Sequence, residues 1–314
     1  MTDTSLAGLL LTNRLVDVGA KPLSSSEFWT LGRSVADLSR LVGASVESIS
    51  KLAELPVDGA ERVANLLSAG TAFSFERERL EEEGIHLVSA LDDAFPARLR
   101  ERLRDACPAF LLVAGPMDFL TVSAVGVVGS RDAPEASLSV AAATAKAAAD
   151  AGRAVVSGLA RGVDQAAMAT AFDAGAPVVG FPAEGLRVVA RNAEIRRRVH
   201  AAELCMASPF GPSTRFTAGN ALGRNKLIYG YADITLVVCS AMGSGGTWEG
   251  ASEAIRRNFG RVAVWMGEGA GLGNAKLVEA GGVAITDLQD LLDIEAEAGV
   301  APPEQPSLFE EESR

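Results

Sequence analysis

Residues 122–164 have the sequence VSAVGVVGSRDAPEASLSVAAATAKAAADAGRAVVSGLARGVD. An apolar run that ends in Gly129-Ser130 precedes an Ala-rich segment, which has Pro134 near its beginning and Gly152 after its end, as helices do. A second apolar run then ends in Ser157-Gly158. Strands that are apolar throughout and alternate with helices are typical of parallel sheets covered on both faces. The stretch therefore predicts an α/β, Rossmann-like fold.

The same alternation continues downstream and begins slightly upstream. Further strands are predicted in CPAFLLVAG, APVVGFPA, ELCMASPF, ADITLVVCS and RVAVWMG. Residues 5–70 instead have apolar positions at helical spacing, and Gly19, Gly43 and Gly70 stand where we expect helices to end. We predict a small helical domain over 1–72, a mostly parallel sheet with helices on both faces over 73–292, and an acidic disordered tail over 293–314.

The composition narrows the classes of function. The chain has 314 residues, 48% of them apolar, which is enough for a large α/β domain and a smaller one. No apolar run reaches about 18 residues, so we expect no transmembrane helix. The N-terminus lacks the basic start of a secretory signal. Three widely spaced cysteines and only two histidines predict buried thiols in a reducing cytoplasm, with no disulfide frame, metal or cofactor.

The charge is unevenly distributed. The formal net charge of −11 by itself argues against a polyanionic partner. Residues 1–120 hold 12 Lys and Arg against 18 Asp and Glu, residues 121–290 hold 16 against 15, and residues 291–314 hold 1 against 7. The middle segment is close to neutral and has basic clusters, so one basic face can still bind a polyanion. These clusters comprise Arg191, Arg196, Arg197, Arg198, Arg215, Arg224, Lys226, Arg256, Arg257 and Arg261.

Four segments at the expected carboxyl edge of the sheet, where ligands of parallel sheets bind, are rich in small and basic residues. We predict them to be loops in which amides, hydroxyls and arginines hold phosphate. In the second, Asp164 is placed to cap a helix. The candidate contacts are Gly129, Ser130 and Arg131 in the first, Ser157, Gly158, Arg161 and Gly162 in the second, Arg224, Asn225 and Lys226 in the third (220–226), and Ser244, Gly245, Gly246 and Thr247 in the fourth.

Common nucleotide-binding and hydrolase motifs are missing. The first strand of the alternating region is not followed by G-x-G-x-x-G with an acidic residue after the next strand, and neither G-x-x-x-x-G-K-[ST] nor G-x-S-x-G is present. The sequence thus indicates a phosphate-binding edge without an obvious nucleophile.

The runs VGVVGSRDA, VVSGLARGVDQAA, GRNKLIYGYADITLVV and GSGGT resemble the DNA-processing protein A family, over about residues 84–290. The resemblance implies a Rossmann-like domain that binds single-stranded DNA, is not an enzyme, and forms a homodimer. It also implies DNA contacts at the four segments above. Members of that family protect incoming single strands and help to load the RecA recombinase, mostly in natural transformation.

The chain departs from the family pattern at several points. Gln165-Ala166-Ala167-Met168 stands where the family usually has a histidine, and Lys226 replaces the second arginine of Arg-Asn-Arg. Gly246 replaces the second serine of Ser-Gly-Ser, and we expect no winged-helix domain after the sheet. The departures indicate a divergent member.

A second resemblance favours an enzyme or a nucleotide sensor. Gly245-Gly246-Thr247-Trp248-Glu249 is similar to the Gly-Gly-x-Gly-Thr-x-x-Glu motif of Lonely-Guy-type phosphoribohydrolases, in which a Glu and an Arg assist N-glycosidic cleavage. Glu249 and Arg131 are the candidates here. The alternative is that Glu249 only stabilises the positive end of a helix.

The tail contains Gln305-Pro306-Ser307-Leu308-Phe309 among acidic residues. Two large apolar side chains in such a segment are typical of a short docking motif. The pentapeptide, with Gln305, Leu308 and Phe309, resembles the motif by which bacterial replication and repair proteins bind the sliding clamp. The alternative is that Leu308 and Phe309 fold back on the chain's own surface.

Three hypotheses follow. The first is a protein that holds single-stranded DNA for recombination, repair or uptake. The second is a nucleotide-binding sensor or phosphoribohydrolase that acts at the same loops. The third is an adaptor that works through its tail.

Overall fold

The computed structural model describes residues 2–291, so the tail motif of Gln305, Leu308 and Phe309 lies outside the described residues. The strands are β1 His86–Ser89, β2 Phe110–Ala114, β3 Ala124–Val128, β4 Ala154–Ser157, β5 Val178–Gly180, β6 Leu204–Ser208, β7 Ile234–Val237, β8 Arg261–Trp265 and β9 Val283–Ile285.

The helices are α1 Asp3–Thr12, α2 Ser25–Ser34, α3 Val46–Ala53, α4 Val57–Leu67, α5 Gly70–Glu82, α6 Ala97–Leu103, α7 Glu135–Asp150, α8 Val163–Asp173, α9 Leu186–Val189, α10 Ala193–His200, α11 Ala218–Tyr231, α12 Gly246–Arg257 and α13 Asn274–Glu279.

The strands form one sheet in the order β1-β2-β6-β5-β4-β3-β7-β8-β9. The pairings from β6 to β9 are parallel, and β2 joins β6 in the antiparallel sense. The predicted mostly parallel, Rossmann-like α/β fold is thus confirmed. From β3 the chain builds outward through β4 and β5, and it later returns to the other side of β3 with β7 and β8. The order therefore reverses between β3 and β7, which is the switch point where ligands of such sheets bind.

Two pairs of helices cover the sheet. α7 and α8 contact each other and the strands β3 and β4, whereas α11 and α12 contact each other and α11 contacts β3 and β7. The crossovers through α7 and α8 run from β3 toward β5, whereas those through α11 and α12 run toward β7 and β8. Because crossovers between parallel strands are right-handed, opposite directions place the two pairs on opposite faces. The central strands β3, β4 and β7 are buried at every position, which explains their uninterrupted apolar sequence.

The chain divides into two compact units. Among the described residues, one comprises residues 2–95 together with Arg104–Leu111, and the other comprises Pro96–Leu103 and residues 112–291. The predicted domain limits at residues 72 and 292 remain predictions.

Helices dominate the first unit, as the spacing of apolar residues predicted. A capping box between Ser24 and Glu27 fixes the start of α2, with each side chain bonded to the other residue's amide. Gly70 was expected to end a helix, and this expectation is wrong. α4 already ends at Leu67, and Gly70 is the first residue of α5. The buried side chains Phe73 and Leu80 of α5, seven residues apart, anchor this helix.

The segment 220–226, predicted to be a loop, lies inside helix α11. Three glycines in this helix, Gly219, Gly223 and Gly230, lower its intrinsic helix propensity. Packing accounts for Gly230, because a Cβ there would lie 2.9 Å from Leu103 Cδ2 of α6. Tertiary contact with α6 thus outweighs propensity.

The three cysteines are buried and form no disulfide. Burial raises the pKa of the Cys205 thiol to about 12, so this thiol is unreactive at neutral pH. Between residues 2 and 291, the structure contains no helix that is both long and apolar enough to cross a membrane.

Candidate anion-binding site

A cavity of about 470 Å³ opens at the carboxyl edge of the sheet, at the switch point between β3 and β7. The loop after β3, the first half of α11 and the loop between β7 and α12 supply most of its walls. The Ser130 amide donates to the Cys239 carbonyl at 3.1 Å, which ties the two loops together. The residues that line the cavity include Gly129, Ser130, Arg131, Arg224, Asn225, Ser244, Gly245, Gly246, Thr247 and Glu249.

The N-terminus of α12 faces this cavity. Its N-cap, Gly245, has a φ of 89° and no side chain to accept from the first amides, and Gly246 and Thr247 of the next positions line the cavity. Asn225 of α11 holds the turn in place, because its Nδ2 donates to the Gly246 carbonyl at 2.9 Å. An uncapped helix start of this kind favours an anion, because the amides and the helix dipole both attract negative charge.

The floor of the cavity carries a buried charged pair. Arg224 is only 4% exposed and Asp164 only 5%, and both side chains line the cavity. Burial lowers the pKa of Arg224, and the nearby Asp164 carboxylate opposes this shift. Burial likewise raises the pKa of Asp164. The Nε of Arg224 is buried and has no hydrogen-bond partner among residues 2–291, which is costly for a charged group.

Asp164 does not cap its helix, contrary to the expectation from sequence. The N-cap of α8 is Gly162, with a φ of 77°. Asp164 lies within the first turn, and its Oδ2 accepts from the Gly158 amide at 2.9 Å. The carboxylate thus fixes the loop that follows β4 and counters the charge of Arg224.

Two kinds of glycine occur in the predicted loops. A Cβ at Gly158 would lie 1.7 Å from Arg224 Nη1, and one at Gly162 would lie 2.5 Å from the Ser130 carbonyl oxygen. These glycines let protein groups pack closely. Gly245 and Gly246 differ, because no other atom would come within 4 Å of a Cβ there. Unlike the loops after β3 and β4, the turn before α12 therefore leaves its glycine backbone open to a ligand.

Arg131 lies at the rim, where its guanidinium sits 5.4 Å from the centre of the Phe216 ring. The side chain is exposed and forms no hydrogen bond or ion pair with any described residue. Two carboxylates also line the cavity. Asp132 lines the cavity and lies 4.0 Å from Arg161, both of them largely exposed, and Glu249 lines it from the first turn of α12.

Some predicted contacts lie apart from the cavity lining. Ser157 is fully buried and donates to the Val127 carbonyl at 2.7 Å, which indicates an internal role. Arg161 is exposed beside the cavity, and Lys226 is half-buried on α11. Two of the three arginines of α10 pair with carboxylates, because Arg197 and Arg198 contact Glu194 and Arg198 also contacts Glu203.

Sequence reasoning did not select Phe216 as a site residue and did not recognise the partnership of Asp164 with Arg224. The position of Phe216, directly before the Thr217 N-cap of α11, is a signal that could have drawn attention to it. For the charged pair there was no local signal, since the two residues are 60 positions apart.

The fold and the site together define a Rossmann-like protein with a cavity at the switch point of its sheet, lined by groups that suit an anion. The comparisons make the assignment specific. The family model of DNA recombination-mediator protein A matches residues 86–295, more than half of the chain. The chain therefore belongs to this family.

Solved structures agree on the fold. DNA processing protein A from Streptococcus pneumoniae is similar over 86% of this chain and 98% of its own, with 22% identity and a TM-score of 0.62. The Helicobacter pylori protein, whose structure concerns its single-stranded DNA binding mode, is similar over 68% of this chain and 96% of its own, with 20% identity and a TM-score of 0.56. No curated protein matched the sequence.

Proposed function

We propose that the protein binds single-stranded DNA at the switch-point cavity and holds it for recombination, repair or uptake. Family membership supports a role in DNA processing, and the H. pylori relative is described as binding single-stranded DNA. The open glycine turn before α12 and the arginine on the cavity floor are groups that hold phosphate.

One observation carries the proposal. Arg224 is a buried cation at the cavity floor, and its Nε has no partner among the described residues. A buried polar group without a partner is costly, and a phosphate oxygen is a strong acceptor for a guanidinium. A phosphate that contacted this guanidinium would compensate for its burial, and the start of α12, which lines the same cavity, would add amide donors.

Salt dependence tests the proposal. The affinity of the full chain for a labelled oligothymidylate should fall as salt rises, because each neutralised phosphate releases counterions. Arg131→Ala and Arg161→Ala should each weaken binding and reduce the slope of log K against log salt by about 0.7. Arg257→Ala is the matched control, because this exposed arginine pairs with Glu253 and lies outside the cavity lining. Equal slopes in all four proteins would contradict a phosphate site here.

The partners and location are part of the proposal. A DNA-holding protein of this family would act beside a RecA-type recombinase and as a homodimer, and the Gln305-Pro306-Ser307-Leu308-Phe309 segment would bind the sliding clamp. The three buried cysteines, which form no disulfide, support a reducing cytoplasm. No catalytic step is proposed for this function.

A second candidate is cleavage of a nucleotide N-glycosidic bond. Its support is that Glu249 and Arg131, the residues singled out by the Lonely-Guy-like motif, both line the one cavity. Glu249→Gln distinguishes the two functions, because it should abolish the enzymatic activity but leave DNA binding unchanged or strengthen it. In the enzyme, the variant should lose release of free base from nucleoside monophosphates. In the DNA-binding protein, it should bind single strands as well as wild type or up to about fivefold tighter, since one repelling charge is gone.

A further inference from the structure

Asn274 is a buried polar residue at the start of α13, and its side chain lies where the parallel strands β7 and β8 end. Its Nδ2 donates to the Val238 carbonyl at 2.9 Å and to the Trp265 carbonyl at 2.7 Å, and its Oδ1 accepts from the Ser240 amide at 2.9 Å. Both donor hydrogens of the side-chain amide are thus used inside the protein. Asn274 lies outside the lining of the cavity, so any role at the site has to act through other groups.

The contacts of Asn274 fix the point at which the loop after β7 leaves the sheet. Ser240 is only 2% exposed, and the start of α13 holds both of its backbone groups, because the Gly273 amide donates to the Ser240 carbonyl at 2.9 Å. Residues 241–245 follow as the exposed turn before α12. A Cβ at Gly243 or Gly245 would meet nothing within 4 Å beyond the adjoining residues, so close packing does not set the path of this turn.

The path of the turn therefore depends on how its two ends are held. Asn225 holds the far end, because it donates to the Gly246 carbonyl at the start of α12. Asn274 holds the near end. Between them, Gly243 and Gly245 have φ values of 73° and 89°, and glycine moves readily between such conformations and others. Release of the near end would thus let the turn, and with it the first amides of α12, change direction.

We propose that Asn274 is a positioning residue for the DNA site, which holds the base of the turn so that the amides at the start of α12 face the cavity. The inference rests on the proposed DNA-binding function and adds to it a residue that contacts no DNA itself. Arg131 and Arg224 belong to the loop after β3 and to α11, so they should keep their places when Asn274 is replaced.

The test measures the affinity of the full chain for a labelled oligothymidylate over a range of salt concentrations. Asn274→Ala removes all three side-chain hydrogen bonds, and it should weaken binding by about 10- to 150-fold, the range for loss of one hydrogen bond to a charged group. The slope of log K against log salt should stay at the wild-type value. The amides carry no charge, and the arginines still neutralise the same phosphates.

Asn13→Ala is the matched control. Asn13 is 3% exposed, and its side chain also makes three hydrogen bonds to backbone groups, those of Leu10, Leu15 and Val16. It belongs to the first unit and lies outside the lining of the cavity. Its loss should lower stability in denaturant unfolding, as Asn274→Ala does, but leave DNA affinity unchanged.

A second variant disturbs the same junction without removing a hydrogen-bonding side chain. Gly273 has a φ of −80°, which suits alanine, but a Cβ there would lie 2.3 Å from the Ala241 carbonyl oxygen. Gly273→Ala should therefore displace the turn and weaken DNA binding at an unchanged salt slope. Hydrogen exchange without DNA measures the displacement directly. In both variants the amides of residues 240–247 should exchange faster, whereas those of β4 should change only with global stability.

Wild-type DNA affinity of Asn274→Ala would overturn the proposal, and so would an equal loss in Asn13→Ala, because that loss reflects global stability. A reduced salt slope would also overturn it, since the arginines would then have moved as well. If Asn274→Ala does not fold, wild-type affinity of Gly273→Ala decides against the proposal. If wild type does not bind the oligothymidylate, the proposed function fails and the inference fails with it, while the exchange of residues 240–247 still shows whether Asn274 holds the turn.

Discussion

Adding one methyl group at Gly158 should displace the guanidinium on the cavity floor. A Cβ there would lie 1.7 Å from Arg224 Nη1, 2.5 Å from Cζ and 2.7 Å from Nη2. The end of a long side chain usually swings away from such a contact at little cost. Arg224 has little freedom to do so, because it is 4% exposed and lies beside the buried Asp164 carboxylate. Gly158→Ala therefore pushes the guanidinium out of its place.

The expected loss follows from the contact that disappears. A hydrogen bond to a charged group contributes about 1.5–3 kcal/mol, so affinity for single-stranded DNA should fall by about 10- to 150-fold. Overpacking should also lower the free energy of unfolding by about 1–3 kcal/mol. Fluorescence anisotropy with a labelled oligonucleotide measures the first effect, and denaturant unfolding measures the second.

Gly223→Ala is the matched control for this substitution. Gly223 precedes Arg224 in α11, and nothing would lie within 4 Å of its Cβ. Alanine there should raise stability by about 0.4–1 kcal/mol and leave DNA affinity unchanged. The double variant with Arg224→Ala should bind no more weakly than Arg224→Ala alone, because both changes remove the same contact. Wild-type affinity of Gly158→Ala would refute the assignment of the guanidinium to the DNA site.

Three further predictions concern other parts of the chain. The Arg62 side chain, and then the Ser24 amide, hold the pKa of Glu27 at about 2 instead of 4.5; because the folded value is the lower one, its stabilisation is present above pH 4.5 and is lost as pH falls toward 2. Glu27→Gln should make the melting temperature depend less on pH over that range. If the melting temperatures of the two proteins fall equally as the pH is lowered, the prediction is wrong. Asp233 accepts hydrogen bonds from Arg98 at 2.9 Å, from Ser123 at 2.7 Å and from the Ala124 amide at 2.8 Å. Asp233→Ala should therefore lower the free energy of unfolding by about 2–4 kcal/mol. A loss below about 0.5 kcal/mol in denaturant unfolding would contradict this prediction. Deletion of residues 303–314 should abolish sliding-clamp binding in surface plasmon resonance and leave DNA affinity intact, and equal clamp affinity with and without the tail would end that proposal.

Much of the sheet could be predicted because its information is local. Strands such as β3 and β7 are buried on both faces, so their sequences are unbroken apolar runs that end at small residues. β9 was missed, because two of its three residues are exposed and it lacks the apolar run that marks the central strands. The first half of helix α11 was missed as well, because its three glycines lower helix propensity, and the close packing of Gly230 against α6 is not visible in the local sequence.

The site was predictable only in outline. The loops after β3 and β7 could be placed together at one edge, since parallel strands end there. The pairing of Arg224 with Asp164 depends on how α11 crosses the sheet, and no spacing in the sequence encodes that crossing. Similarly, the glycine pattern predicted phosphate contacts throughout, whereas Gly158 and Gly162 are required by protein groups packed against them.

The central claim is that the switch-point cavity binds single-stranded DNA through its phosphates. The most direct test is a binding titration of the full chain with a labelled single strand and with the matching duplex, each at two salt concentrations. The account predicts tighter binding of the single strand, and an affinity for it that falls as salt rises. Equal affinity for the two DNAs, or single-strand binding that is insensitive to salt, would contradict it.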